Sequence, residues 1–462
     1  MASSYDVDLA VVGSGGAGMA AAITARQAGA SVVVIERGVL GGTCVNVGCV
    51  PSKTLLAAAG VRSGAMGNPF SGAPTMAGKV DLGALVAQKD ELVAGMRQAK
   101  YADVAAAYGF EVLPGQARFT DADTVAVDDR PLRARAYLVA TGAEPAPPEL
   151  RGLDGYLTST TAMELDELPQ SLVVIGAGFV GMEQAQLFAH LGVPVTLVGR
   201  LATQAEPELA DVLRSVFAAD GITVLEEHAT AVARDGGGGV VVSTASGRQV
   251  SGQRLLVATG RRARTDGLGL AAAGVATDER GFVVVDEAQR TSNPRVFAAG
   301  DVSGAPQYVY VAAAGGRVAA LNALAEDPGV PPARVDRTGL PAVVFTRPQL
   351  ASAGLTEAEA LRRGHRCACR VLGLDDVPRA LVQRDTRGAV KVVADADTGR
   401  VLGVHALADG AGEIMLAATY AIKAGMTVDD VADTWAPYLT MAESLRIAAG
   451  LFRNQLPTSC CA

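Results

Sequence analysis

Val7-Asp8-Leu9-Ala10-Val11-Val12 runs without a break into Gly13-Ser14-Gly15-Gly16-Ala17-Gly18, and an alanine-rich stretch follows to about Gly29. The opening six residues read as a strand of a buried parallel sheet, the glycines as a tight turn and the alanine-rich stretch as a helix. A second apolar strand over 31–35 ends at Glu36. Strand, G-x-G-x-x-G turn, helix, strand and acid in this order predict a dinucleotide-binding α/β unit. The glycines let the backbone approach a pyrophosphate at the helix N-terminus, and Glu36 can accept hydrogen bonds from ribose hydroxyls.

The unit recurs. A strand over 172–175 leads into Gly176-Ala177-Gly178-Phe179-Val180-Gly181, a helix, and a strand over 195–198. At the register where the first unit has Glu36, the second has Gly199 followed by Arg200. An acid there would repel a 2′-phosphate and an arginine can pair with it, so the second unit is expected to prefer NADPH to NADH. Ala140-Thr141-Gly142 and Ala258-Thr259-Gly260 each end an apolar strand and read as crossings between a first domain and one inserted into it. The segment from Thr291 to Asp301 sets an acid after a short strand, the place where flavoproteins hold a ribityl chain.

The remaining numbers bound the class. The 462 residues are 49% hydrophobic and 19% charged, with a net charge of −8. That balance argues against disorder, and against nucleic acid or an anionic membrane as the main partner. No unbroken apolar run reaches the ~18 residues of a spanning helix, and the first residues lack a basic export region. A cytoplasmic location is the expectation. The fold class expected is α/β, with two Rossmann-like dinucleotide-binding domains and a C-terminal α+β domain. The first domain would cover 1–147 and 265–335, the second 148–264, and the third 336–462.

The six cysteines fall into three pairs: Cys44/Cys49, Cys367/Cys369 and Cys460/Cys461. In a reducing compartment, close pairs point to redox or metal chemistry. The first pair lies in Gly41-Gly42-Thr43-Cys44-Val45-Asn46-Val47-Gly48-Cys49-Val50-Pro51-Ser52-Lys53. Pro51 suits a first helical position, which puts Cys49 at or just before a helix N-terminus. Partial positive charge there, with Lys53 one turn on, favours thiolate.

This segment resembles the redox-active disulfide of the pyridine nucleotide-disulfide oxidoreductases, a flavoprotein family. The resemblance implies that Cys49 lies against a flavin as the charge-transfer thiol and that Cys44 exchanges with substrate. It implies that Lys53 pairs with Glu183 on the second Rossmann helix. It further implies FAD contacts at Gly13, Gly15, Gly16, Ala17, Gly18, Glu36, Gly38, Gly42, Thr43, Lys53, Ala117, Thr141, Gly142, Asp301 and Val309. NADPH contacts are implied at Gly176, Gly178, Phe179, Gly181, Glu183, Gly199, Arg200 and Gly260. The C-terminal unit of the family makes a homodimer whose active sites are shared between subunits.

The C-terminal end separates branches of the family. Disulfide reductases carry His-Pro-Thr there with a Glu five residues after the His, and the acid protonates a leaving sulfur. Here the stretch reads Trp435-Ala436-Pro437-Tyr438-Leu439-Thr440-Met441-Ala442-Glu443. Glu443 is kept, Tyr438 takes the histidine position, and the last histidine in the chain is His405. A phenol with a pKa of ~10 is a poor proton donor at neutral pH but a usable oxygen ligand. The tail adds Cys460-Cys461. Their Cα atoms are ~3.8 Å apart, short for a disulfide but suited to gripping a thiophilic ion. These features, with the stretch 377–388, are similar to the mercuric reductase branch. That resemblance implies Hg(II) as substrate, taken from small thiol complexes by Cys460 and Cys461 and passed to Cys44 and Cys49 of the other subunit, with Tyr438 at the transfer site. The competing reading is a thioredoxin-reductase-like enzyme whose tail cysteines relay electrons. Cys367 and Cys369, two residues apart in a strand-like run, share one face; ordinary packing and a metal way-station both fit.

Overall fold

The computed structural model describes residues 5–327 and 329–454. Cys460 and Cys461 lie outside the described residues. The chain forms two compact units, one of Met1–Leu55, Gly83–Ala146 and Gly260–Asp336, the other of Leu56–Leu82, Pro147–Thr259 and Arg337–Ala462.

The first unit is built on a five-stranded parallel sheet in the order Val296–Ala298, Ala134–Val139, Val7–Val12, Val32–Glu36, Glu111–Pro114. Its central strands are apolar on both faces because both are covered, one by helices around Ala21 and Ala319, the other by the strands around Phe119 and Val125, and Leu9, Ala10 and Val11 are fully buried. Helix Gly16–Gln27 follows the first strand, and helix Val309–Ala323 packs on it through small residues. Smaller antiparallel sheets complete the unit: Ala117–Phe119, Val125–Val127 and Arg130–Leu132, and a pairing of Ala143–Pro145 with Arg261–Ala263.

The second unit holds a four-stranded parallel sheet in the order Ile222–Leu225, Val195–Val198, Leu172–Ile175, Arg254–Val257. Beside it lies an antiparallel three-stranded sheet whose hairpin turns at Gly236–Gly239, between Ala229–Arg234 and Val240–Thr244. Its C-terminal part is a five-stranded antiparallel sheet in the order Pro341–Val344, Gln349–Gly354, Val401–Ala408, Ala389–Asp395, Cys367–Gly373. Helices Ala411–Ala424 and Glu443–Gly450 pack against it around Ile414, Met415, Ala418, Leu445 and Ala448. Two sheets with Rossmann connectivity and an α+β end match the fold class read from the sequence.

Two local details differ. The dithiol helix spans Cys49–Met66, so Pro51 is its third residue and Cys49 itself begins it. The stretch Gly42–Met66 is long enough to cross a membrane and holds an 18-residue window with a mean hydropathy of 1.3, although no unbroken apolar run exists. Alanines, leucines and valines raise that average, and Val45, Leu55 and Ala59 are buried within the protein.

Candidate active site

In the first unit the glycine turn is held by close backbone contacts. Gly13 has φ +105°, and a Cβ there would lie 2.5 Å from the Ala140 carbonyl oxygen. A Cβ on Gly18 would stand 2.0 Å from the Gly13 oxygen, so helix and strand approach as only glycine permits. Gly15 caps helix Gly16–Gln27 without a side-chain hydrogen bond, leaving the N-terminal amides available for an anion. Glu36 is braced: its Oε2 accepts from Ser14 N (3.0 Å) and Oγ (2.6 Å), and its Oε1 from Gly38 N (2.8 Å). Ser14 Oγ in turn accepts from Gly41 N, tying the nucleotide turn to the start of the cysteine segment.

A cleft of about 350 Å³ opens along this face, lined by Gly13, Gly15, Glu36, Gly38, Gly42, Thr43, Ala117, Thr141 and Gly142 among others. Nine positions assigned to FAD from the sequence thus share one cavity. Of the other six, Gly16, Ala17 and Gly18 form the first turn of the helix, and Val309 begins the helix packed on it, its Cγ2 3.1 Å from where a Gly16 Cβ would be. Asp301 follows strand Val296–Ala298 and stands 3.7 Å from Arg261 Nε. Burial raises the Asp301 carboxyl, opposed by the charges of Arg261 and Arg264. Lys53 lies one turn into the dithiol helix.

Cys44 sits in the short helix Gly42–Asn46 and Cys49 starts the next helix. Cys49 is exposed and Cys44 half-buried. A hydrogen bond to Cys49 and burial push the Cys44 thiol well up. The loop between them is fixed by Asn46, whose Nδ2 donates to Leu40 O and Gly42 O, both at 2.9 Å, and whose Oδ1 accepts from Arg97 Nε at 2.9 Å.

Three neighbours of the dithiol escaped the sequence reading. Tyr101 lies in a π-helical turn, Gln98–Ala102; burial raises its phenol, and the charges of Cys44 and Cys49 raise it further. Such turns recur at functional sites. Tyr310 stacks on Tyr308 with centroids 5.3 Å apart, and its phenol is raised by burial, Tyr308 and Cys49. Arg261 is lowered by burial against the charges of Asp301 and Cys49. No local pattern announces these residues, because they come from 52 to 261 positions along the chain from Cys49.

In the second unit the same construction appears. A Cβ on Gly176 (φ +104°) would lie 2.4 Å from Ala258 O, and one on Gly181 1.7 Å from Gly176 O. Gly178 caps helix Phe179–His190, which Phe179 begins. Gly199 has φ +146°, with Ala177 N 2.9 Å from its Cβ position, and Arg200 beside it is exposed. Gly260 accepts from Ala146 N within the first unit. Glu183 is buried, its Oε1 accepting from Phe345 N at 2.9 Å.

Comparison with known proteins accords with this architecture. Residues 7–316 match the pyridine nucleotide-disulphide oxidoreductase family, and residues 340–449 match its dimerisation domain. The chain belongs to this family. Among curated relatives, a mercuric reductase of Streptomyces lividans is 51% identical over 98% of each chain. One of Staphylococcus aureus is 43% identical over 99% of this chain and 84% of its own. Among solved structures, the HOCl-induced flavoprotein disulfide reductase RclA of Escherichia coli superposes with a TM-score of 0.85 at 29% identity, covering 96% of this chain and 99% of that one. LpdA of Mycobacterium tuberculosis gives 0.85 at 31% identity, covering 96% and 100%. Membership implies use of a flavin and a pyridine nucleotide.

The residues of the first unit fit a bound flavin nucleotide. The cleft ends on uncapped helix amides, and the buried Nε atoms of Arg261 and Arg264 lack a hydrogen-bond acceptor. Arg264 lines the cleft with its Nε 3.5 Å from Glu144 Oε2 and not hydrogen-bonded, so an anionic ligand would add the acceptor it lacks.

The family's dimerisation domain carries the two C-terminal candidates. Tyr438 is 57% exposed in the turn before helix Glu443–Gly450, next to Leu439 at φ +60° and to Trp435, which is 97% exposed. Glu443 is 4% exposed. Its Oε1 meets Arg446 Nη2 at 3.4 Å, while its buried Oε2 has no hydrogen-bond partner.

Proposed function

We propose that this chain is an NADPH-dependent, FAD-containing reductase that converts Hg(II) to Hg(0) at the Cys44–Cys49 dithiol. The observation that carries the reading is the exposed Tyr438 where a disulfide reductase needs its acid, with Glu443 Oε2 left unpartnered. The likeness to mercuric reductases over the whole chain supports it. The parts follow the family: 1–147 with 265–335 for the flavin, 148–264 for NADPH, where Arg200 selects the 2′-phosphate, and 336–462 for a homodimer with shared sites.

When bound, the flavin and nicotinamide supply the two electrons that the metal takes up. The protein's own residues hold and orient the ion. Cys460 and Cys461 of one subunit take Hg(II) from a small thiol complex, releasing two thiols. Cys44 and Cys49 of the other subunit then displace them, sulfur for sulfur, with Tyr438 as an oxygen ligand at the handover. The thiol protons that Cys44 and Cys49 give up on binding the metal are taken by the two departing tail sulfurs, so the exchange balances without redox change. Lys53, one turn along the helix from Cys49, sets a cationic side chain near the thiolate.

The test is NADPH oxidation by purified protein with HgCl2 and excess thiol, with mercury loss from solution followed in parallel, and separately with oxidised thioredoxin. Turnover with Hg(II) and none with thioredoxin is expected, and Cys49→Ala should abolish it while FAD stays bound. Turnover with thioredoxin alone would overturn the reading.

A further inference from the structure

Cys367 and Cys369 stand on strand Cys367–Gly373, the edge strand of the C-terminal sheet, with no further strand beside it among the described residues. Residues two apart on a strand face the same way, and both cysteines are half-exposed. Free cysteine is ordinarily among the most buried residue types, so two on one face of an open edge are out of keeping with packing alone. Their surroundings are polar. Burial and the nearby Glu357 charge raise the Cys369 thiol, and Glu357 Oε2 holds Lys391 Nζ at 2.8 Å. Lys391, on the neighbouring strand, is also held by Glu206 and Glu208, each at 2.9 Å. Cys367 Sγ reaches only the His365 carbonyl, at 3.9 Å.

We propose that Cys367 and Cys369 form a second Hg(II) site, a two-sulfur clip apart from the catalytic dithiol. The choice of ion rests on the proposed activity; the two-sulfur geometry does not. Among the described residues no group of three His, Cys, Asp or Glu stands ready to hold a metal. The pair therefore suits a soft ion satisfied by two thiolates, and not zinc, which takes four ligands. Two metal–thiolate bonds of ~2.3 Å need sulfurs ~4.6 Å apart. Side chains two apart on a strand start ~6.6 Å apart, and rotation about each Cα–Cβ bond closes the difference. Loading is an exchange without redox change: two S–Hg bonds to a small thiol break, two to Cys367 and Cys369 form, and two small thiols depart carrying the protein's two thiol protons.

The experiment uses the full chain carrying Cys44→Ala, Cys49→Ala, Cys460→Ala and Cys461→Ala, which leaves two cysteines of the six. After reduction and desalting it is titrated with bis-glutathionyl Hg(II), and bound mercury is counted by elemental analysis and native mass spectrometry. One Hg(II) per chain is expected, and adding Cys369→Ser should weaken retention against free glutathione by roughly a hundredfold or more, since one-point binding loses the effective concentration of the second thiol. No bound mercury in the quadruple-alanine variant, or binding unchanged by Cys369→Ser, overturns the proposal. If that variant fails to fold, the same count on otherwise unaltered protein should fall by one Hg(II) per chain in Cys367→Ser with Cys369→Ser, and an equal count overturns it. Because the quadruple-alanine variant cannot turn over, this result is independent of whether the enzyme reduces mercury.

Discussion

Gly316→Ala probes the contact that positions the flavin cleft. Gly316 lies in helix Val309–Ala323, packed on helix Gly16–Gln27. A Cβ there would lie 2.0 Å from Ala17 O, 2.7 Å from its carbonyl carbon and 2.9 Å from its Cα. All three are backbone atoms, so no rotamer relieves the clash. Carbon atoms pack at ~3.5–4.0 Å, and the helices must part by roughly 1 Å. Overpacking of this kind costs about 1–3 kcal/mol, against a gain of about 1 kcal/mol for alanine over glycine inside a helix. Because the clash meets backbone atoms it is the larger effect, and a net loss of up to about 2 kcal/mol is expected. Ala17 is the second residue of the helix whose amides face the cleft, so FAD should dissociate faster, roughly tenfold for each ~1.4 kcal/mol lost. Gly95→Ala is the matched control. Gly95 is exposed in helix Leu82–Arg97 with open space around its Cβ position, so alanine should stabilise by about 0.5–1 kcal/mol. Thermal unfolding followed by the rise in free flavin fluorescence reads both variants. Gly316→Ala melting at or above the parent temperature, or Gly95→Ala melting below it, refutes the reasoning.

Arg200→Ala should raise KM for NADPH roughly ten- to hundredfold, the value of a charge-assisted hydrogen bond, and leave KM for NADH nearly unchanged; equal changes for both would remove Arg200 from 2′-phosphate selection. Asp395 is held by His365 Nδ1 (2.8 Å), Thr398 N (2.9 Å), Thr398 Oγ1 (3.0 Å) and Asp397 N (3.1 Å), and its carboxyl falls to about 2 from an ordinary 3.8. A folded pKa below the unfolded one stabilises above the unfolded value, so this contribution is complete above about pH 4 and lost as pH falls toward 2. Urea midpoints across that interval should drop less steeply in Asp395→Asn than in the parent; parallel profiles would show that the group does not drive acid sensitivity.

Much of the chemistry was legible along the chain because it is written in short, contiguous patterns. Gly13 to Gly18 and Gly176 to Gly181 declare two nucleotide turns, since strand, turn and helix are adjacent in sequence. The cysteine segment with Lys53, and Tyr438 five residues before Glu443, read the same way. Glu36 and the glycine at its counterpart position could be compared by register alone.

What the chain did not disclose is whatever comes from far away in sequence. The carbonyls of Ala140 and Ala258, which leave room only for glycine at 13 and 176, arrive on strands more than 80 residues on. Tyr101, Tyr310 and Arg261 reach the dithiol from separate elements, and no periodicity or motif marks them. Lys391 gathers Glu206, Glu208 and Glu357 from two other segments and brings the last against Cys369. Sequence alone determined which local units form, because backbone propensity and glycine freedom act between near neighbours. The tertiary structure decided which distant side chains share a desolvated space, because burial and charge act through space and not along the chain.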